Sequence, residues 1–312
     1  MSDTPPRSTT GSSESTGSTG STGSTTADRL VAIARKEFRD GIRSDALRIV
    51  FGLVIASTVL IYWAIGRSAE PGVLSAVGFL GLPFQLLVPV AAIALGTVSV
   101  AGERAAGSLR LLLGLPPSRT EVVVGKFLGA SGVLLAGLAV AFVVAAIAGI
   151  VFFGTASLGP LVGVVAATAL LGVAFLGVAI GLSAAVSSTR RAMAAGFGGF
   201  LGLTFLWEPV VAGVYYLVAG SLPGGSLPAW FLAVDRLNPI EAYAVVANMA
   251  GDVGVTPLRI SVGLGGGSTA AEGAGAAVPL VLAEPISIVV LCGWVAIPLA
   301  VGTRRFRRTD LG

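Results

Sequence analysis

The side chains that most enzymes use for proton transfer or metal binding are almost missing from this chain. Its 312 residues include no histidine and one cysteine, Cys292, which lies inside an apolar stretch. A Ser-His-Asp triad, an HExxH zinc site and a histidine-held haem are therefore excluded. A single cysteine forms neither an internal disulfide nor a cysteine-rich metal site. We predict that the chain is not an enzyme, with no catalytic residue, no metal ligand and no cofactor of its own.

A phosphate-binding loop for ATP is missing as well. Gly125-Lys126 is the one Gly-Lys pair in a suitable context, but Phe127 follows it, and position 120, where the motif needs a glycine, is threonine. Without GxxxxGK[ST], this chain is not expected to bind ATP. Energy for its work would then come from a partner subunit or from an ion gradient.

Gln85 interrupts an apolar stretch in the first third of the chain. It lies between Pro83 and Pro89, in a run of 32 uncharged residues at 71–102. A helix interrupted there could line a transport pathway, so Gln85 is a candidate pathway residue. The alternative is a kink whose free backbone groups are satisfied by neighbouring helices.

Glu208 is the acidic residue that adjoins the apolar run after Arg191. At about 1.5 Å per residue it comes about 25 Å along a helix, near the outer membrane boundary, where a carboxylate costs little. We favour that position. If the span instead continues through Val210 to Ala219, Glu208 lies inside the membrane and is a candidate pathway residue.

The rest of the chain is apolar enough to fill a membrane. Charged residues are 12% of it, against about 25% in a typical soluble domain, and 63 uncharged residues in a row separate Lys126 from Arg190. About 20 apolar residues suffice for one crossing, so a soluble enzyme is excluded and an all-α polytopic membrane protein is predicted. Charges and turn residues divide the chain into six spans, at about 47–66, 76–100, 127–153, 161–186, 192–207 or longer, and 285–303.

Two segments precede the first span. Residues 1–27 are a Ser/Thr/Gly-rich tail that cannot bury enough apolar surface to offset its ordering entropy, and we predict that it is disordered. Within 28–45, apolar residues recur at helical spacing while basic residues occupy the other faces. This pattern predicts an amphipathic helix lying in the membrane surface, followed by a transmembrane domain over 46–308.

The distribution of positive charge sets the orientation. With six spans and a cytoplasmic N-terminus, 17 of the 20 Lys and Arg residues lie inside. They belong to the N-terminal segment, the loop 101–126, the turn 187–191 and the C-terminal tail. By the positive-inside rule both termini are cytoplasmic, and 208–284 is an exterior segment. The positive charge is therefore topological, and no nucleic-acid partner is needed to explain it.

Two glycine pairs could bring helices close together. Gly177-xxx-Gly181 and Gly198-xxx-Gly202 have the spacing of close helix contacts, within one chain or across a dimer. Such pairs arise easily in a chain with 44 glycines, so we favour contacts within the chain.

The loop 101–126 carries the most informative motif. It reads Glu-Arg-x-x-Gly-Ser-Leu-x-x-Leu-Leu, then Pro-x-Ser-Arg and Gly-Lys, which predicts a short polar helix, a proline stop and a new helix start. Ser118 and Glu121 could form a capping box at that start. The leucines of the loop could bury against the inner ends of the spans or dock a partner, and physical reasoning favours neither.

This loop resembles the signature loop of ABC transporter permeases of the type-2 exporter family. The similarity extends over about 28–308, and Asn238-Pro239-Ile240-Glu241-Ala242-Tyr243 resembles the family's exterior Pro-x-x-Ala stretch. The resemblance implies a plasma-membrane subunit, working as a homodimer or with a related permease, on which a separate ATP-binding-cassette ATPase docks. The residues of the ATPase-coupling loop would be Glu103, Arg104, Gly107, Leu109, Leu112, Leu113, Pro116, Arg119 and Lys126.

The expected function is export of a substrate with ATP hydrolysed by the partner chain. The alternatives are an ion-coupled secondary transporter, a membrane subunit for metalloenzyme maturation of the copper or nitrous oxide reductase type, and a membrane scaffold. The sequence does not identify the substrate, although spans rich in Ala, Gly, Val and Leu suit a lipophilic one.

Overall fold

The computed structural model describes residues 25–105, 118–186, 188–223, 227–259 and 283–308, with the side chains of 100 and 102–105 left aside. Every regular element in these ranges is helical. The helices are α1 (Thr26–Ile42), α2 (Asp45–Gly66), α3 (Val73–Phe79), α4 (Gly81–Ala105), α5 (Arg119–Phe153), α6 (Leu158–Ala185), α7 (Thr189–Leu201), α8 (Trp207–Ala219), α9 (Ala229–Arg236), α10 (Pro239–Asn248) and α11 (Glu284–Arg308). A π-helical turn, Gly202–Leu206, joins α7 to α8.

Six helical stretches in the described ranges are long and apolar enough to cross a membrane, which confirms the predicted number. They are Asp45–Gly66, Val73–Ser99, Arg119–Phe153, Leu158–Ala185, Thr189–Ala219 and Glu284–Arg308. The second combines α3 and α4, which meet at Leu80.

The fifth stretch has the longer of the two forms that the sequence left open. The helical chain continues through α8 to Ala219, so Glu208 lies within the apolar stretch and not at its end. In a regular helix, Pro209 would clash with the carbonyl four residues earlier, that of Phe205. That carbonyl lies in the wider π turn, so the helix accommodates Pro209.

The helix α6 lies at the centre of the bundle and packs on α4 and α11 through glycines. A Cβ on Gly96 would collide with Ala179, and a Cβ on Gly181 would collide with the main chain at Pro298. Gly177 meets the main chain at Val295 in the same way. The first glycine pair therefore makes a contact within the chain, as favoured above, and it allows two backbones to approach closely.

One end of the bundle, called the loop end here, brings together α1, the start of α5 and the end of α11. Arg29 of α1 forms an ion pair with Glu121 at 3.0 Å, and Arg119 Nη1 donates to the carbonyl of Phe306 at 2.7 Å. The described residues nearest both chain ends therefore lie at the same end of the bundle as the start of α5. The opposite end, called the far end, carries α9, α10 and the extended segment 252–259.

The helix α1 turns its apolar side toward α5. Ile33, Ala34 and Phe38 face Gly125, Gly129 and Gly132, at each of which an added Cβ would press on α1. A capping box at Thr25 and Asp28 starts the helix. The apolar stripe seen in the sequence thus packs within the chain, and a location of α1 in the membrane surface stays a prediction.

Candidate functional site

At the loop end, α5 begins with the predicted capping box. Glu121 N donates to Ser118 Oγ at 3.2 Å, and Ser118 N donates to Glu121 Oε2 at 2.7 Å. The other oxygen of Glu121 accepts from Arg29 Nη2 at 3.0 Å. The capping carboxylate therefore ties the helix that leaves the loop to α1.

Glu37 of α1 bridges the two helices on either side of the loop. Its Oε2 accepts from Lys126 Nζ of α5 at 2.9 Å, and its Oε1 accepts from Ser99 Oγ of α4 at 2.9 Å. Only 3% of the Lys126 side chain and 14% of the Glu37 side chain are exposed. The ion pair is thus largely screened from water, and α1, α4 and α5 are joined at a single carboxylate.

Arg119 is held by the last helix. Besides its bond to Phe306 O, its guanidinium lies 5.5 Å from the centre of the Phe306 ring. Both Arg119 and Lys126, expected in the ATPase-coupling loop, therefore contact other parts of this chain. The side chains of Glu103 and Arg104, and the whole of Gly107, Leu109, Leu112, Leu113 and Pro116, lie outside the described part of the structure.

At the far end, one arginine meets three carboxylates from three helices. Arg259 Nη1 lies 3.0 Å from Asp235 Oδ2 of α9 and 3.3 Å from Glu241 Oε2 of α10. Its Nε lies 3.3 Å from Glu208 Oε2 of α8. These four residues form the far-end cluster. Only 2% of the Glu208 side chain and 17% of the Arg259 side chain are exposed, so the charges are mostly removed from water.

Asn238 anchors α10 beside this cluster. Its Oδ1 accepts from Ile240 N at 2.9 Å, with Pro239 in the first turn, which is the helix start expected from Asn-Pro. Its Nδ2 donates to the carbonyl of Leu203 in the π turn at 2.6 Å. A π turn leaves main-chain groups out of the usual helical pattern, and Asn238 uses one of them to fix α10 on the fifth span.

Gln85 binds the extended segment 252–259. Its Nε2 donates to Thr256 O at 3.0 Å, and its Oε1 accepts from Leu258 N at 2.8 Å. Gln85 is 1% exposed, and both ends of its amide are engaged. In this conformation the candidate pathway residue is a support for the segment that carries Arg259.

Burial outweighs the arginine in setting the pKa of two carboxyls of the far-end cluster, Glu241 and Asp235. Removal from water raises the pKa of Glu241 to about 7, and it also raises the pKa of Asp235, although Arg259 opposes both shifts. The cavity beside the four residues measures about 10 Å³, enough for about one water molecule. Within the described ranges, no three Asp, Glu or Cys side chains are placed to hold a metal ion.

Sequence reasoning identified Glu208 but not its partners. Asp235, Glu241 and Arg259 are 27 to 51 residues away from it in the chain, and no local pattern joins them. A signal was available in the charge count, because Arg259 is one of three basic residues outside the segments predicted to be cytoplasmic. Glu37 could also have been noticed, since it shares the apolar side of α1 with Ile33 and Phe38.

Comparison with known proteins agrees with the resemblance found in the loop. The model of the ABC-2 family transporter proteins matches residues 31–311. A relative in Pseudomonas aeruginosa, described as a probable ABC transporter permease protein NosY, is 29% identical over 291 residues, which cover 89% of this chain and 98% of the relative. A relative in Stutzerimonas stutzeri with the same description is 27% identical over 291 residues, covering 88% and 97%. The chain therefore belongs to the ABC-2 family of transporter proteins.

Proposed function

We propose that this multi-pass membrane protein is the membrane-spanning subunit of an exporter whose ATP is hydrolysed by a separate ATP-binding-cassette subunit. Family membership indicates a transport subunit and a partnership with an ATPase. The observation that carries the mechanism is the bridge from Ser99 through Glu37 to Lys126. Because it joins the helices before and after the loop, a displacement of the loop would move α1, α4 and α5 together.

In the proposed cycle the ATPase docks on the loop at the cytoplasmic face of the plasma membrane. The apolar side chains Leu109, Leu112 and Leu113 are the proposed contact, with Gly107 allowing a close approach and Pro116 ending the first helix of the loop. Glu103 and Arg104 supply charges beside it. Two permeases, identical or related, would then alternate between inward-facing and outward-facing states.

The test is assembly with the ATPase. Leu112→Asp places a charge in the proposed apolar contact, so it should reduce co-purification of the ATPase at least tenfold, through the cost of removing a carboxylate from water. Leu222→Asp is the matched control, because Leu222 is exposed and follows α8 at the far end. Arg119→Glu is a poorer probe, since Arg119 contacts α11 within the chain.

Membrane insertion of both variants should equal that of the parent. Equal recovery of the ATPase with Leu112→Asp and with the parent chain would contradict the proposed docking contact. Loss of the ATPase with Leu222→Asp as well would show that the effect is not specific to the loop.

A second candidate is ion-coupled transport, favoured by Glu208. An ionisable side chain in an apolar span is typical of coupling-ion pathways, and Glu208 is 3% exposed within the stretch Thr189–Ala219. Proton- or sodium-dependent uptake into liposomes that contain the permease without an ATPase would favour this candidate over the first.

A third candidate, a role in metalloenzyme maturation of the copper or nitrous oxide reductase type, rests on the relatives' description as NosY permeases. Such a role is compatible with ATP-driven transport. It differs from the first candidate only in the substrate that is transported. Loss of metalloenzyme activity, with normal amounts of its polypeptide, in cells lacking this permease would favour it.

A further inference from the structure

The segment 252–259, called the strap here, runs without helical structure across the far end. Asn248 exchanges two hydrogen bonds with Val255, of 2.8 and 2.9 Å, and Gln85 exchanges two with Thr256 and Leu258. Gly78 and Gly81 lie so close to the strap that an added Cβ would collide with it. The strap thus connects the start of the second span to the helices at the far end.

Arg259, in the last described position of the strap, connects it to three more helices through the far-end cluster. The charged groups that act on Glu241 are Glu208 from α8, Asp235 and Arg236 from α9, and Arg259 from the strap. Gln85, which comes from α4, is uncharged. If all three carboxylates were ionised, their negative charge would exceed the positive charge of Arg259 by two. The other cation that acts on Glu241 is Arg236, which is partly exposed. A proton on one carboxylate relieves that excess.

The strap closes the far end at this point. Val253 and Val255 of the strap are buried, and the cavity beside Arg259 has room for about one water molecule. The cavity between the strap and α8 therefore does not hold a substrate larger than water in this conformation. Passage here requires the strap to separate from the cluster.

We propose that the strap is a proton-linked latch: it stays closed while one proton is bound among Glu208, Asp235 and Glu241, and it is released when that proton leaves for water. The latch rests on the proposed function in that the far end is where the substrate leaves. The ligand of this site is a proton, and the Glu241 carboxyl is the group that binds it.

The direction of the pH effect follows from the change in burial. In the closed strap the pKa of Glu241 is about 7, and in the released, hydrated state it returns toward 4.5. The closed state therefore binds more protons between these two values, and a rise in pH favours release. For this shift the ratio of released to closed strap rises by at most about 70-fold from about pH 5 to about pH 8.

The test measures the strap directly, on the permease alone in lipid nanodiscs. Spin labels are attached to Asp252→Cys on the strap and Val218→Cys at the end of α8, both exposed positions, with Cys292→Ser to remove the native thiol. Electron–electron distance measurements at about pH 5 and about pH 8 report the populations. We expect one distance at low pH and a second, longer one whose share rises tens of fold at high pH.

Two variants of the labelled protein and one control separate the latch from general pH effects. Glu241→Gln mimics the protonated carboxyl and should give the short distance at both pH values. Arg259→Gln should give the longer distance at both. Glu284→Gln, at the exposed first residue of the last span, should respond like the parent.

An unchanged distance distribution in the parent, or an equal pH response in Glu241→Gln, overturns the proposal. If Arg259→Gln does not fold, the comparison of the parent with Glu241→Gln still decides. No ATPase is present in this experiment, so a pH-dependent strap together with a failed ATPase assembly would reject the proposed function and leave the latch standing. A strap that does not respond to pH, together with normal ATPase assembly, would reject the latch and leave the proposed function standing.

Discussion

Single carboxylates connect distant parts of this chain, and Glu37 is the clearest case. Its partners, Ser99 and Lys126, are 62 and 89 residues away. The capping box at Ser118 and Glu121 was predictable because its two residues are three apart, whereas the partner of Glu121 in α1 was not. Local spacing in a sequence reveals caps and helix starts, but it carries no information about which buried charges meet.

The buried pair of Glu37 and Lys126 should be worth more than an exposed pair. Glu37→Gln removes the carboxylate that faces a lysine with 3% exposure, so the free energy of unfolding should fall by about 3 kcal/mol. Asp40→Asn is the control, because Asp40 and Lys36 form an exposed pair at 3.7 Å that should contribute less than about 1 kcal/mol. Unfolding in detergent, followed by circular dichroism, measures both.

Partial restoration by a second change would identify the charge as the cause. Glu37→Gln alone leaves the buried ammonium of Lys126 without its carboxylate. The double variant Glu37→Gln with Lys126→Met removes that ammonium as well, so it should be more stable than Glu37→Gln alone. Equal losses for Glu37→Gln and Asp40→Asn would show that burial adds nothing to this pair.

Helix contacts in this protein depend on glycines, but the sequence does not show which ones. Gly177 and Gly181 meet the backbone of α11, whereas a Cβ on Gly198 or Gly202 would meet none of the described residues within 4 Å. Both pairs have the same spacing. The difference arises from the path of α11, which follows α6 by about a hundred residues and could not be derived from either pair.

The two glycine pairs should therefore respond differently to alanine. Gly181→Ala forces a methyl group against the main chain at Pro298, which cannot move aside as a flexible side chain could, and should cost about 1–3 kcal/mol. Gly202→Ala enters open space and should be neutral or stabilise the helix by up to about 1 kcal/mol. Thermal unfolding of the purified variants in the same detergent measures the difference.

A clear loss of stability in Gly202→Ala would contradict this expectation for the single chain. It would show that another protein surface approaches Gly202. If the parent elutes as a dimer on size-exclusion chromatography, a parallel shift of the variant to the monomer would identify that surface as a second copy.

On the scale of the whole molecule, composition predicted more than any motif. Charge-free runs predicted six spans, and the described part of the structure has six candidate spans over nearly the same residues. Glu208 was expected near the membrane boundary because it comes about 25 Å along a helix after Arg191, but the helical chain continues to Ala219. A π turn accommodates the proline and Arg259 neutralises part of the charge, and both depend on tertiary structure. The far-end cluster was not predictable for the same reason, since four separate elements assemble it.

The orientation of the bundle is the remaining prediction at this scale, and it can be measured with two single cysteines. After Cys292→Ser, Ser118→Cys places a thiol at the exposed start of α5 and Asp252→Cys places one on the strap. The excess of Lys and Arg at the loop end predicts that Ser118→Cys faces the cytoplasm and Asp252→Cys the exterior. A membrane-impermeant maleimide should label the strap in intact cells, and Ser118→Cys only after the membrane is opened. Glu70→Cys, in the exposed turn between α2 and α3, should behave like the strap position. Labelling of Ser118→Cys in intact cells would reverse the proposed direction of the ATPase contact, because an ATPase in the cytoplasm could not then reach the loop.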